Sequence, residues 1–214
     1  MSVFGSVGVG KTVFCENMAK NSLNIGAGCV YISTERAPAD IRNDFRTLRA
    51  DVDKLETQKK LAFVDGYSWL AGGSSETYRV ENLANLSELA VTIEKACTDL
   101  GQEKLIILDS ISPLCLHNPE NDVIKFLQLL AARTKSWGAN GIIVVQAGVH
   151  SQEFYNAMAY LVDGMLDLRQ NEEDNRIKRY FRIRNLRFSA HEVRWIPFVI
   201  DADKGFRLED QAIR

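Results

Sequence analysis

Residues 5 to 12 read Gly5-Ser6-Val7-Gly8-Val9-Gly10-Lys11-Thr12, a complete G-x-x-x-x-G-K-[ST] pattern. The spelling has a physical reason. Gly5, Gly8 and Gly10 let the backbone take dihedrals closed to other residues, so that successive N–H groups converge on one anion at the start of the next helix. Lys11 then reaches the β and γ phosphates of a nucleoside triphosphate, and the Thr12 hydroxyl binds Mg²⁺. The expected phosphate-contacting stretch is continuous: Gly5, Ser6, Val7, Gly8, Val9, Gly10, Lys11, Thr12 and Val13. Such a loop joins a strand to a helix. Met1-Ser2-Val3-Phe4 therefore reads as the end of a first strand, and the segment from Lys11 to about Leu23 as the helix after it.

Outward from the loop, strands and helices alternate, which predicts an α/β fold with a mostly parallel sheet covered on both faces. Cys29 to Ser33 and Leu61 to Asp65 read as strands, with helices over Ala39 to Leu48 and from about Asn85 to Leu100. Leu105-Ile106-Ile107-Leu108-Asp109 is the most apolar run and ends in an acid, so it is placed as a central strand buried on both faces. Val123 to Trp137 carries Ile124, Leu127, Leu130 and Ala131 at helical spacing, and Gly141 to Gln146 is the next buried strand. Met165 to Arg169, Tyr180 to Arg187 and Pro197 to Ile200 read as strands with hairpin-like connections, an antiparallel edge. Gly72-Gly73-Ser74-Ser75 is a loop within the domain.

A phosphate loop needs a metal partner, and Asp109 at the end of its apolar strand supplies a carboxylate near the bound Mg²⁺. Hydrolysis also needs a group that orients or deprotonates water. Glu35 is the candidate, expected to close the strand neighbouring the phosphate loop and to point into the crevice at the sheet's carboxyl edge. The competing reading of Glu35 is a helix cap or a loop acid. Gln146, ending its strand, is read either as a contact to the γ phosphate that couples to the next loop or as a polar strand terminus.

These residues resemble a known family. Val30 to Glu35 followed by Ala37-Pro38-Ala39-Asp40-Ile41, then Leu108-Asp109-Ser110-Ile111-Ser112, and Asn185-Leu186-Arg187 with Ser189-Ala190-His191 and Pro197-Phe198, are similar to the KaiC-like branch of the RecA superfamily of ATPases. The likeness covers nearly the whole chain and implies a RecA-like fold, ATP and Mg²⁺ as cofactors, and Glu35 as catalytic base. Members often have a second acid beside that base, where this chain has Arg36. The resemblance also implies a homo-oligomeric ring, a hexamer being one form. In such rings a basic pair on a late strand reaches the neighbour's site. Arg187 matches the second member of that pair, whereas Asn185 replaces the first, which implies slow turnover. Arg184 is not expected to substitute, since adjacent strand residues face opposite sides. Relatives usually have a longer stretch ahead of the loop, so this chain reads as starting inside its first strand.

A chain of 214 residues, 46% hydrophobic and 25% charged, is long enough for one sizeable core, so residues 1 to 214 are expected to form one domain. A net charge of −2 gives no global attraction to nucleic acid or to an anionic membrane. Cys15, Cys29, Cys97 and Cys115 are scattered and read as buried, reduced thiols of a cytoplasmic protein. No uninterrupted apolar stretch is long enough to span a membrane, and no secretory leader is apparent. His117, His150 and His191 are too dispersed for a metal site. Arg176, Lys178, Arg179, Arg182, Arg184, Arg187 and Arg194, interleaved with Tyr180, Phe181, Phe188 and Trp195, are the most basic part of the chain. They are read as a nucleic-acid path or as cations that meet a neighbouring subunit or acids such as Glu172, Glu173 and Asp174. The function that follows is Mg²⁺-dependent, slow ATP hydrolysis coupled to assembly or to a regulatory partner. The alternative is a nucleotide-gated DNA-binding module with little turnover. Phosphate transfer to protein is the less favoured reading, for want of a substrate segment.

Overall fold

Strands with no wet face have to be covered on both sides, and the helices divide accordingly. The computed structural model describes residues 1–101, 103–173 and 175–209. In chain order its first elements are β1 (Ser2–Gly5), α1 (Lys11–Asn24), β2 (Gly28–Ser33), α2 (Pro38–Thr47), α3 (Val52–Thr57) and β3 (Leu61–Asp65). A 3-10 turn over Ser68–Ala71 leads to β4 (Tyr78–Arg79), α4 (Leu86–Leu100), β5 (Lys104–Asp109), α5 (Ser112–His117), α6 (Glu120–Ser136) and β6 (Asn140–Gln146). The chain continues through α7 (Gln152–Leu161), β7 (Gly164–Glu173), β8 (Arg176–Leu186), β9 (Ile196–Asp201) and β10 (Gly205–Leu208).

The described strands form one ten-stranded sheet in the order β10-β9-β8-β7-β1-β6-β5-β2-β3-β4. From β7 to β4 every pairing is parallel, and from β7 to β10 every pairing is antiparallel. This is the expected α/β architecture with its antiparallel C-terminal edge. Successive strand residues face opposite sides: Cys29, Tyr31, Leu105 and Ile107 pack with α1, α2 and α3, whereas Val30, Ile32, Ile106 and Leu108 pack with α4, α6 and α7. All six residues of β5 are buried, as its composition requires.

Several boundaries differ from the sequence reading. Helices α3, α5 and α7 and strands β4 and β10 were not anticipated; α3 and α5 have six residues each, too short for a helical period to show. Strand β7 runs on to Glu173 and β8 begins at Arg176, because the two pair over their whole length beyond the end of β1. Strand β8 ends at Leu186, so Arg187 lies just outside it. Cys15, Cys29 and Cys97 are buried, but Cys115, on the short helix α5, is partly exposed.

Candidate nucleotide site

Gly10 adopts a left-handed φ of 108° and caps α1 in place of a capping side chain, and no acid occupies that helix's first turn. The first N–H groups of α1 are thereby left to an anion. A β-carbon at Gly10 would stand 2.7 Å from Ile200 Cδ1, and one at Gly5 would stand 2.9 Å from the backbone oxygen of Leu168. Lys11 folds back over the loop, its Nζ donating to Gly5 O at 2.9 Å, Ser6 O at 2.8 Å and Gln146 Oε1 at 2.8 Å. Burial lowers the pKa of this ammonium, and the charges of Glu35 and Asp109 oppose the shift. Gln146 thus meets the residue that would grip the γ phosphate. Its backbone oxygen accepts the Tyr155 hydroxyl at 2.9 Å, which anchors the start of the following loop.

Asp109 is buried, and its Oδ2 accepts the Tyr31 hydroxyl at 2.7 Å. Burial pushes its pKa up, while bonds from Tyr31 and Thr12 pull it down. The contact between Asp109 and Thr12 joins the two residues expected to hold the metal. A hydroxyl and a carboxylate are hard oxygen donors that suit Mg²⁺, which keeps several waters and draws its remaining ligands from phosphates. Among the described residues there is no cluster of three or more His, Cys, Asp or Glu able to hold a metal.

Glu35 reaches the site by a route the sequence reading did not anticipate. Strands β6 and β7 flank β1, and β2 lies beyond β5, so Glu35 does not close a strand next to the phosphate loop. The chain crosses over through α1 and leaves two strand positions that β6 and β5 later fill. Strand β2 instead pairs with β5, Ser33 opposite Asp109. Thr34 locks the two strand ends together, its Oγ1 donating to Ser110 O at 2.6 Å and accepting from Ser110 N at 2.8 Å. The Ser110 hydroxyl then donates to Glu35 Oε1, while Glu35 itself stays exposed at the edge. The N-cap of α2 is Ala37, so Glu35 is not a cap. Arg36 turns away and pairs with Asp44 at 2.6 Å.

Arg187 is not brought to its own chain's phosphate loop. Leu186 pairs with Gly164 at the amino end of β7, whereas Gly5 pairs with Leu168 further along that strand. Arg187 therefore stands at the opposite edge of the sheet, with Nη1 3.2 Å from Asp163 Oδ1 and Nη2 donating to Tyr160 O at 2.9 Å. The late-strand cations largely meet acids of the same chain. Arg182 and Arg184 share Asp167, Lys178 pairs with Glu173 and Arg194 with Glu192; Asp174 lies outside the described residues. Trp195 is stacked by the guanidinium groups of Arg169 and Arg182, at 4.1 and 4.6 Å. Tyr31, Thr34 and Ser110 were not given roles from the sequence. Only their register across β2 and β5 brings them to Asp109 and Glu35.

A glycine loop feeding a helix, a buried acid on a central strand and a parallel sheet with an antiparallel edge define a P-loop NTPase of the RecA type. The family model described as ATPase: KaiC matches residues 1–212, and the chain belongs to that family. It is 27% identical to a UPF0273 protein of Thermotoga maritima over 95% of this chain and 84% of that one. It is 29% identical to the UPF0273 protein PH0284 of Pyrococcus horikoshii, over 94% of this chain and 81% of the relative. The fold is similar to the crystal structure of the KaiC-like protein PH0186 from Pyrococcus horikoshii, with a TM-score of 0.78 and 22% identity over 97% of this chain and 88% of that one. The family supports nucleotide binding. Among the described residues, no helix is long and apolar enough to cross a membrane.

Proposed function

We propose that this protein is an Mg²⁺-dependent ATPase of slow turnover whose site is completed in a homo-oligomer. The observation that carries it is the convergence of Lys11, Thr12, Asp109, Gln146 and Glu35 at one edge of the sheet. The loop N–H groups and Lys11 hold the β and γ phosphates. Mg²⁺ on Thr12 and Asp109 would neutralise charge on the phosphate oxygens. Glu35, fixed by Ser110, takes a proton from the attacking water; the water oxygen bonds to the γ phosphorus, and the bond to the bridging oxygen of ADP breaks. Arg187, placed away from its own loop, supports a role in a neighbour's site. Arg36 stands where a second acid would, so Glu35 acts without one. A nucleic-acid output draws less support, because most of the late-strand cations are already paired.

Turnover and binding of Mg²⁺-ATP by the wild type and by Glu35→Gln test this. The expected result is hydrolysis by the wild type, its loss in the variant, and an ATP dissociation constant within about twofold, because uniform binding is untouched. Binding is checked independently by thermal stabilisation, about 2.7 kcal/mol at a hundredfold excess over the dissociation constant. Unchanged turnover in Glu35→Gln would remove the base assignment.

A further inference from the structure

Ser112, His150 and Glu120 come from three separate elements and meet in one hydrogen-bonded line. The Ser112 Oγ lies 3.1 Å from His150 Nε2, and His150 Nδ1 lies 3.5 Å from Glu120 Oε1. The imidazole is almost fully enclosed, its side chain 3% exposed, and it stacks on Phe154 with ring centroids 4.7 Å apart. Glu120, at the start of α6, also accepts the backbone N–H of Ser151 at 3.0 Å and the Ser151 hydroxyl. A serine, a histidine and a carboxylate in this order are the parts of an activated nucleophile. The surroundings of Ser112 argue against acyl transfer: its N–H is already engaged with Ser110 Oγ at 3.3 Å, and Pro113, next in line, has none. Neither of these two backbone positions offers an N–H to an oxyanion.

The line leads instead to the candidate base. Ser112 N–H donates to Ser110 Oγ, and that hydroxyl donates to Glu35. The other end belongs to the loop after Gln146, where the Tyr155 hydroxyl accepts the N–H groups of Val149 and His150 at 3.2 and 3.3 Å while donating to Gln146 O. We infer that His150, clasped between Ser112 and Glu120, is a positioning residue that fixes Ser110 and through it the carboxylate of Glu35. The inference rests on the ATPase reading given above. The clasp ties the loop that follows the Lys11-bound glutamine to the acid that would activate water, so the two sides of the γ-phosphate position are held in one register.

The groups that face His150 define its titration. They are the Glu120 carboxylate from α6, the Tyr155 phenol from α7 and the Ser112 hydroxyl from α5, with Phe154 apolar beneath. Burial lowers the His150 pKa, and Glu120 opposes the shift. With Nδ1–H toward Glu120, the neutral ring accepts the Ser112 proton at Nε2. Once protonated, Nε2 donates, and the serine proton has to swing away.

Two variants test the clasp. His150→Leu keeps apolar bulk over Phe154 without polar atoms, and His150→Gln keeps a donor and an acceptor without titrating. His150→Leu is expected to lower kcat about tenfold, as for a slightly misplaced catalytic group, with the ATP dissociation constant within about twofold. His150→Gln should restore most of kcat and abolish the acid limb that His150 gives the wild-type kcat profile. In both nucleotide-bound proteins, amide hydrogen exchange over residues 33–36 and 109–112 is measured, with faster exchange expected in His150→Leu alone. Wild-type kcat in His150→Leu, ATP affinity falling in step with kcat, or unchanged exchange would each overturn the clasp. If the wild type itself shows no turnover, the ATPase reading fails, and the exchange result alone decides the clasp.

Discussion

Glu16 is a carboxyl group buried without a matching cation. It sits on α1, five residues past the phosphate-binding lysine, and is 3% exposed, with an Oε1 that has no hydrogen-bond partner. Arg36 Nη1 is 3.8 Å from it but lies nearer to Asp44, at 2.6 Å. Burial first, and then the charge of Asp44, push the Glu16 carboxyl up to about 9. The native state therefore keeps this proton at pH 7, whereas an unfolded chain releases it near the ordinary value of about 4.3. Between those two pKa values the native protein binds more protons, so Glu16 makes stability fall as pH rises, by at most about 1.4 kcal/mol per pH unit. Glu16→Gln removes the penalty. Urea unfolding should show its advantage over the wild type growing by about 1 kcal/mol per unit from pH 6 to 8; an advantage that stays flat would mean Glu16 is ionised when folded. None of this was legible in the sequence, where Glu16 is one polar residue on a helix and Arg36 a departure from a family pattern. The glycine loop could be read because phosphate chemistry sets residue types at fixed spacings, and Asp109 because an acid closes an unbroken apolar run. The strand neighbour expected for Glu35, however, was not the one the sheet provides. The hydroxyls that orient these acids could not be read, since a serine or tyrosine earns its role only from what lies opposite.

At the scale of elements, the aromatic trio Tyr31, Phe45 and Phe63 joins α2 to β2 and β3. Phe45 is fully buried, with its ring centroid 6.1 Å from each of the other two rings. Phe45→Ala would open a cavity there and cost about 3–5 kcal/mol, read as a lower denaturation midpoint with an unchanged slope. Tyr31 also holds Asp109, so a shifted ring would lower turnover in the folded variant as well. A variant as stable as the wild type would show that α2 collapses onto the gap. Strands β5 and β6 were readable as buried because their runs are unbroken and aliphatic. Helix α7 carries its own signals, Ser151 as a cap that accepts Phe154 N–H and apolar residues at 154, 158 and 161, yet its polar opening masked them. Strands β4 and β10 have two and four residues, and the sheet itself defines them.

At the scale of the whole molecule, the sheet order decides which residues share a site, and strand succession along the chain does not reveal that order. Placing β2 against β5 is what delivers Glu35 to Ser110. The antiparallel return of β8 beside β7 places Arg187 at the far edge, bonded to Asp163 and Tyr160. An arginine there serves phosphoryl transfer only if another copy presents it, which is a head-to-tail contact between unlike surfaces. Two singly defective proteins distinguish this from chemistry within one chain. Glu35→Gln lacks the base but keeps Arg187, and Arg187→Ala lacks the arginine but keeps the base. Each alone should be slow. Mixed in equal amounts and allowed to exchange, roughly a quarter of head-to-tail interfaces would pair an intact Glu35 with an intact Arg187, and turnover should rise above that of either parent. It should also rise with protein concentration for the wild type. A mixture no faster than the mean of its parents, with Arg187→Ala as active as the wild type, would confine all the chemistry to one chain and leave Arg187 as the clamp on Asp163 that it forms within its own subunit.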